Sequence, residues 1–174
     1  MANNFIPLVF VDHIDLAGSL RRHEGLYDRG TPRILPVHVP RKGTELEDED
    51  FVFLASTMGK WVELKNFLGR LKREAEKAVG PIDLGRIHLE MLDPGVTLPW
   101  TTESGVYIER YTRVHMALRT NPATLMISGT ETASLAPGYV TAVNARAPCT
   151  AINLGAQPRV HLIVDFRKKE QDDA

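Results

Sequence analysis

At Gly80-Pro81 the hydrophobic rhythm of this 174-residue chain changes, and that change limits the folds open to it. Before it, Trp61, Leu64, Phe67, Leu68, Leu71, Ala75 and Ala78 recur at spacings of three and four, the stripe of an amphipathic helix. After it the period is two. In 85–92, Ile87, Leu89 and Met91 alternate with Arg86, His88 and Glu90, which predicts a strand with one apolar and one polar face. Further strand candidates follow at 96–100, 111–118, 124–128, 132–135, 139–144, 149–154 and 159–166, most of them separated by Gly or Pro. Short strands at such even spacing predict an antiparallel sandwich or barrel.

The first half reads as support for this β core. An apolar run at 5–11 predicts a strand, and Asp12 can cap a helix reaching about Glu24 with Ile14, Leu16, Ala17 and Leu20 inward. An extended segment at 34–39, a polar acidic loop at 42–50 and a short strand at 51–55 follow. Ser56 or Thr57 then caps the long helix, 58–79, which Gly80-Pro81 ends. We therefore expect one domain over 1–174: strands and two supporting helices in 1–80, a β core in 81–166 and a frayed tail in 167–174.

A net charge of −1 and a pI near 6.6 give no electrostatic footprint for nucleic acid, so local arginines would have to hold an acidic ligand. No apolar run approaches the ~18 residues of a spanning helix, so no membrane partner is expected. A single cysteine and the lack of a basic-then-apolar leader point to a reducing, cytoplasmic setting. A homodimer is compatible with the sequence.

Two strands share one design, Arg113-Val114-His115-Met116 and Arg159-Val160-His161-Leu162. Alternate residues of a strand share a face, so each arginine points with its histidine. Either these faces meet solvent, or two guanidiniums look into a common cavity and hold a carboxylate through paired charge-assisted hydrogen bonds.

The segments GRIHLEMLDPG, RVHMALRTNP and NLGAQPRVHLIVDF resemble the aspartyl/asparaginyl β-hydroxylase family of double-stranded β-helix oxygenases, and HEGLYDRGTPRILPV resembles its smaller bacterial members. The resemblance implies a mainly β, jelly-roll or cupin-like fold with two flanking α-helices. It also implies a 2-oxoglutarate clasp formed by Arg113, His115 and Arg159, with Asn153 and Gly155 in the closing motif. Such oxygenases hold Fe(II) with a His-x-Asp (or His-x-Gly) pair after the Pro-Gly turn and a second histidine about ten residues before the closing arginine. Here the sequence departs from the pattern. Counting six from Gly95 gives Thr101 and Glu103, a register shifted by one gives Trp100 and Thr102, and counting ten back from Arg159 gives Cys149. Neither histidine is present, so no metal ligands and no cofactor are expected.

Three functions stay open. The first is redox-neutral acid/base or thiol chemistry of epimerase, isomerase, lyase or cyclase type on a small molecule or peptide bearing a carboxylate. There Cys149, Glu103 and His115 are the catalytic candidates, and Arg113, Arg159, His115, Trp100, His88 and Asn153 bind the substrate. The second is a hydroxylase dependent on Fe(II) and 2-oxoglutarate with an altered ligand set that recruits His88 or His115. The third is a carboxylate-binding or interaction protein without activity. Cys149 could equally be a small buried filler, Trp100 could fill the volume vacated by metal, and His88 and Glu90 could face water. His13, His23 and His38 are expected in surface or local hydrogen-bonding roles, and His161 as a structural part of the closing strand.

Overall fold

The period-two segments pair into the larger of two antiparallel sheets. The computed structural model describes residues 3–42, 44 and 50–169. The strands in chain order are β1 (Phe5–Phe10), β2 (Arg33–Pro40), β3 (Phe51–Phe53), β4 (Ile82–Leu92), β5 (Thr112–Arg119), β6 (Thr124–Ser128), β7 (Glu131–Ala133), β8 (Tyr139–Val143), β9 (Cys149–Asn153) and β10 (Arg159–Lys168). Seven form one sheet in the order β1-β8-β5-β10-β4-β2-β3, and three form the other in the order β7-β6-β9. This is the mainly β, double-stranded β-helix architecture expected from the sequence.

Alternation decides which residues each face of the large sheet buries. Ile87, Leu89 and Met91 of β4, Val114, Met116 and Leu118 of β5, and Val160, Leu162 and Val164 of β10 point outward into one apolar core. The helix α3 (Val62–Val79) covers that face with Leu64, Phe67, Leu68, Leu71 and Ala75. Burying each of these leucines or Phe67 contributes about 1.5–3 kcal/mol, which outweighs the weak intrinsic preference of a helix for any one position. Leu16 and Leu20 join the same core. A smaller core of Leu92, Ala117, Met126, Leu135, Val143 and Ala151 joins the two sheets.

Four local expectations are corrected. The first helix, α1 (Ile14–Ser19), ends early and continues as a 3-10 segment, Leu20–Leu26. Ser19 Oγ donates to the Leu16 carbonyl at 2.8 Å while accepting from Trp61 Nε1 at 2.6 Å, and the chain tightens there; Ile14 is left 73% exposed. The long helix is divided at Gly59 into α2 (Ala55–Met58) and α3, because Trp61 leaves the helical path to bury its ring against His23. Residues 96–100 form no regular strand. They lie on β9 through the isolated bridges Thr97 to Ile152 and Thr101 to Cys149, with Pro99 unable to donate to a ladder. Arg167 and Lys168, expected in a frayed tail, extend β10 opposite Asp83 and Ile82. Most of the expected acidic loop and residues 170–174 lie outside the described residues. A short helix, α4 (Val106–Arg110), follows Gly105, whose φ of +103° suits glycine. Among the described residues, no helix is long and apolar enough to cross a membrane.

Candidate functional site

The inner face of the large sheet carries buried polar side chains, Arg159, His115, His161 and Asp165 among them, beside apolar Leu92, Ala117 and Ile163, and strand register builds it in rows. Ile163 of β10 stands between His88 of β4 and His115 of β5. His161 stands between Glu90 and Ala117, and Asp165 faces Arg113. Arg159 begins the strand opposite Leu92. This face looks onto the small sheet, and the two enclose a cavity of about 300 Å³ whose walls include Arg86, His88, Arg113, His115, Arg159 and Cys149. Of the two readings of the Arg-x-His faces, the structure places Arg113, His115 and Arg159 on a cavity and buries His161, so neither face meets open solvent.

The two arginines have different surroundings. Arg113 donates through Nε and Nη2 to Asp165 at 2.8 and 3.0 Å, and through Nη1 to Glu103. Arg86 reaches the same two acids, Asp165 at 3.2 Å and Glu103 at 3.0 Å. Tyr107 donates to Asp165 at 3.1 Å, and its hydroxyl oxygen accepts from the Arg86 backbone N–H at 2.8 Å. Burial pushes both carboxyls up, but the guanidiniums outweigh it and hold Asp165 and Glu103 below their ordinary values.

Arg159 is 0% exposed, and among the described residues its carboxylate partner is Glu90. Among the described residues, its Nε and Nη1 have no hydrogen-bond partner. Burial pushes this guanidinium down to about 10, which still leaves it charged at neutral pH.

The histidines beside it are neutral. Burial, reinforced by Arg113, lowers His88 to about 4 and His115 to about 3. Burial also drives His161 well below its ordinary value, with Arg159 adding to the effect. The His115 and His161 rings meet edge to face at 5.8 Å, and among the described residues His115 Nδ1 and both His161 nitrogens have no hydrogen-bond partner.

Cys149, half-buried on the opposite wall, donates its thiol to the carbonyls of Asn144 and Ala147 at 3.3 and 3.2 Å. Asn153 lies outside the cavity lining. Its amide donates to the carbonyls of Leu92 and Gln157, both at 2.9 Å, and its Oδ1 accepts from Asn121, Thr124 and Gly155. It ties the closing turn to the sheets. Trp100 is 58% exposed and also outside the lining. Away from the cavity, His23 stacks on Trp61, and His38 is buried with Nδ1 at 2.5 Å from the Gly85 carbonyl.

Three members of the site were not singled out from the sequence. Arg86 and Asp165 were readable, since they continue the alternation of His88 and of His161. Tyr107 arrives on α4, for which no period announced a position.

The sequence matches the model of the aspartyl/asparaginyl beta-hydroxylase family over residues 70–169. The chain belongs to that family. No curated protein matches it. Among solved structures, this family member resembles an oxidoreductase of the 2OG-Fe(II) oxygenase family from Burkholderia pseudomallei, with 14% identity over 93% of both chains and a TM-score of 0.62. It resembles the non-heme alpha ketoglutarate dependent epimerase SnoN of nogalamycin biosynthesis at 12% identity, over 95% of this chain and 78% of that one, with a TM-score of 0.64. AviO1 from Streptomyces viridochromogenes aligns at 15% identity over 99% of this chain and 93% of that one, with a TM-score of 0.61. At these identities the likeness is one of fold.

The positions at which metal ligands were expected from the resemblance, Thr101, Glu103 and Cys149, all line the cavity. Thr101 and Cys149 exchange backbone hydrogen bonds of 2.9 and 2.7 Å, and Glu103 N donates to the Ala145 carbonyl at 3.0 Å. Of the two registers, Thr101 and Glu103 line the cavity, and Trp100 and Thr102 do not. Among the described residues, no three His, Cys, Asp or Glu side chains are grouped so as to hold a metal ion.

Proposed function

We propose that this family member clasps the carboxylate of a small molecule or peptide at Arg159 and transfers protons beside it, in a redox-neutral isomerase, epimerase or lyase type of reaction that uses no iron. The observation that carries the reading is the buried guanidinium of Arg159 with Nε and Nη1 unpartnered at a cavity wall. A buried cation with idle donors gains most from an anion that accepts two of them at once.

The donors at the family's metal positions do not fit Fe(II). A threonine hydroxyl is a poor ligand at neutral pH, a cysteine stands for the second imidazole, and the Glu103 carboxylate is already neutralised by Arg86 and Arg113. No step is therefore routed through a metal. Cys149 and His115 come from the two sheets that enclose the cavity, so a ligand between them meets a thiol on one side and a neutral imidazole on the other. Two such groups can remove a proton from one face of a carbon and return one to the other.

Family membership supports a second reading, a 2-oxoglutarate-dependent hydroxylase with His88 or His115 recruited to iron. One set of assays separates the two. Protein incubated with Fe(II) and desalted is expected to retain no stoichiometric metal and to release no succinate from 2-oxoglutarate. Retention of one iron with succinate release would replace the proton-transfer reading. Solvent deuterium should enter a bound carboxylic acid and fail to do so in Cys149→Ala; full incorporation in that variant removes Cys149 from the chemistry.

A further inference from the structure

We propose that the ligand of this cavity is an α-amino acid with an apolar side chain, bound as the zwitterion with its carboxylate on Arg159 and its ammonium on Glu90. This rests on the carboxylate reading above and deepens it by naming the ligand class.

The charges around the cavity balance. Arg86, Arg113 and Arg159 line it, as do Glu90 and Glu103, and the buried Asp165 holds Arg86 and Arg113 as well. Three cations thus stand against three carboxylates, and burial keeps the imidazoles of His88, His115 and His161 neutral. A ligand with a net negative charge would leave one charge unmatched among buried groups, and an unmatched buried charge is costly. The clasp needs a carboxylate, and the balance needs a cation on the same molecule. A zwitterion supplies both.

Donors for a carboxylate remain at both ends of the cavity. Among the described residues Arg159 keeps Nε and Nη1 without a partner, and the side-chain bonds of Arg86 run through Nε and Nη2. Acceptors for an ammonium are less evenly spread. Asp165 accepts four hydrogen bonds from Arg86, Arg113 and Tyr107, and each oxygen of Glu103 already takes an arginine. Among the described residues Glu90 accepts one hydrogen bond, on Oε1 from Arg159, so its second oxygen is the carboxylate acceptor left to a ligand.

An α-amino acid carries its two charges on one carbon, so the groups that hold them must be neighbours. In the ladder of β10 with β4, Arg159 stands opposite Leu92 and His161 opposite Glu90, which makes Arg159 and Glu90 diagonal neighbours on one face. They are in contact, with side chains 0% and 14% exposed, so water competes little for either. Leu98, Met126, Val143, Ala151 and Ile163 give the ligand's side chain apolar surface, where a hydrocarbon group gains by leaving water.

The test is calorimetric titration of the full chain with both enantiomers of phenylalanine, with 3-phenylpropanoate, which lacks the ammonium, and with 2-phenylethylamine, which lacks the carboxylate. The better-bound phenylalanine should bind at least about tenfold more tightly than either fragment. The 13C-methyl resonance of Met126, assigned through Met126→Leu, should move on its addition, which places the ligand in this cavity. In Glu90→Gln, phenylalanine should lose at least about tenfold in affinity, while 3-phenylpropanoate, meeting an Arg159 relieved of its partner, binds at least as well as before. If that variant does not fold, the ligand comparison on the unaltered chain decides alone. 3-Phenylpropanoate bound within about tenfold of phenylalanine overturns the zwitterion while the clasp survives, and so does a folded Glu90→Gln that keeps its phenylalanine affinity. An amine bound as tightly as phenylalanine, an unmoved Met126 signal, or binding of neither amino acid nor acid overturns the clasp and the proposal together.

Discussion

Arg113 donates Nε to one oxygen of Asp165 at 2.8 Å and Nη2 to the other at 3.0 Å, a bidentate fork between neighbouring strands β5 and β10 with Asp165 only 1% exposed. The same carboxylate takes Arg86 and the Tyr107 hydroxyl, so one acid fixes the charge balance at that end of the cavity. Asp165→Asn keeps the shape and removes the charge, leaving two partly buried guanidiniums to Glu103. Breaking such a pair costs about 3–5 kcal/mol, and urea unfolding should show a loss of that order. A loss below about 1 kcal/mol would mean that the network is bypassed by solvent.

Gly85 is where Tyr107 and Tyr111 press on β4. Their rings stack at 4.4 Å, and a β-carbon at Gly85 would lie 2.6 Å from Tyr111 Cε1 and closer still to the Tyr107 hydroxyl. Gly85→Ala must push the tyrosine pair off the strand and break the Tyr107 bonds to Asp165 and to the Arg86 backbone. We expect a cost of about 1–3 kcal/mol and an altered near-ultraviolet tyrosine signal. An unchanged spectrum would show that α4 moves aside without strain.

What the sequence made legible follows the physics of each signal. Period two along β4, β5 and β10 announced which residues would share a face, and Arg113, His115, Arg159 and His161 sit where that rule puts them. Engagement of those side chains was not legible. Nothing local says that Arg113 is consumed by Asp165, 52 residues away, while Arg159 keeps idle donors. Alternation continued through Arg86 and Asp165 as well, but a motif-centred reading stops at the Arg-x-His echo. The break at Gly59 and the helix α4 were hidden for a different reason: Trp61 and Tyr107 are placed by distant partners, Ser19 and Asp165.

Asn153 was expected at the substrate, and its wholly buried amide instead ties the closing turn to both sheets. It donates to the Leu92 and Gln157 carbonyls and accepts from Asn121, Thr124 and the Gly155 backbone N–H. Asn153→Ala strips partners from several groups at once, and buried groups left unsatisfied cost about 1–3 kcal/mol each. The expected result is a stability loss of about 3 kcal/mol, measured by chemical denaturation. If Asn153 also touched ligand, affinity for 3-phenylpropanoate would fall further than the population of folded protein explains; we expect it to follow that population.

The buried histidines make stability pH-dependent well above the carboxylate range. Burial lowers His88 to about 4, His115 to about 3 and His161 further, while in the unfolded chain each titrates near 6.5. Below about pH 6.5 the unfolded state binds protons that the folded state refuses, so stability rises with pH there and is lost as pH falls. Each histidine contributes a slope of up to ~1.4 kcal/mol per pH unit until its folded value is reached. His13 and His38 are shifted in the same direction by burial. Near pH 4 the histidine slope fades as His88 gains its proton in the fold. Asp165 and Glu103 then continue the loss, because their folded values lie below the unfolded ones and their contribution disappears as pH falls through them. Urea midpoints at pH 7.5, 6.5, 5.5 and 4.5 should therefore change little over the first step and fall more steeply over the next two, where the slope approaches the equivalent of about three protons from His88, His115 and His161, and His161→Phe should remove about one of them. A flat profile between pH 7 and 5 would mean that the histidines are already charged in the folded protein, and that the cavity beside Arg159 is far more polar than its walls imply.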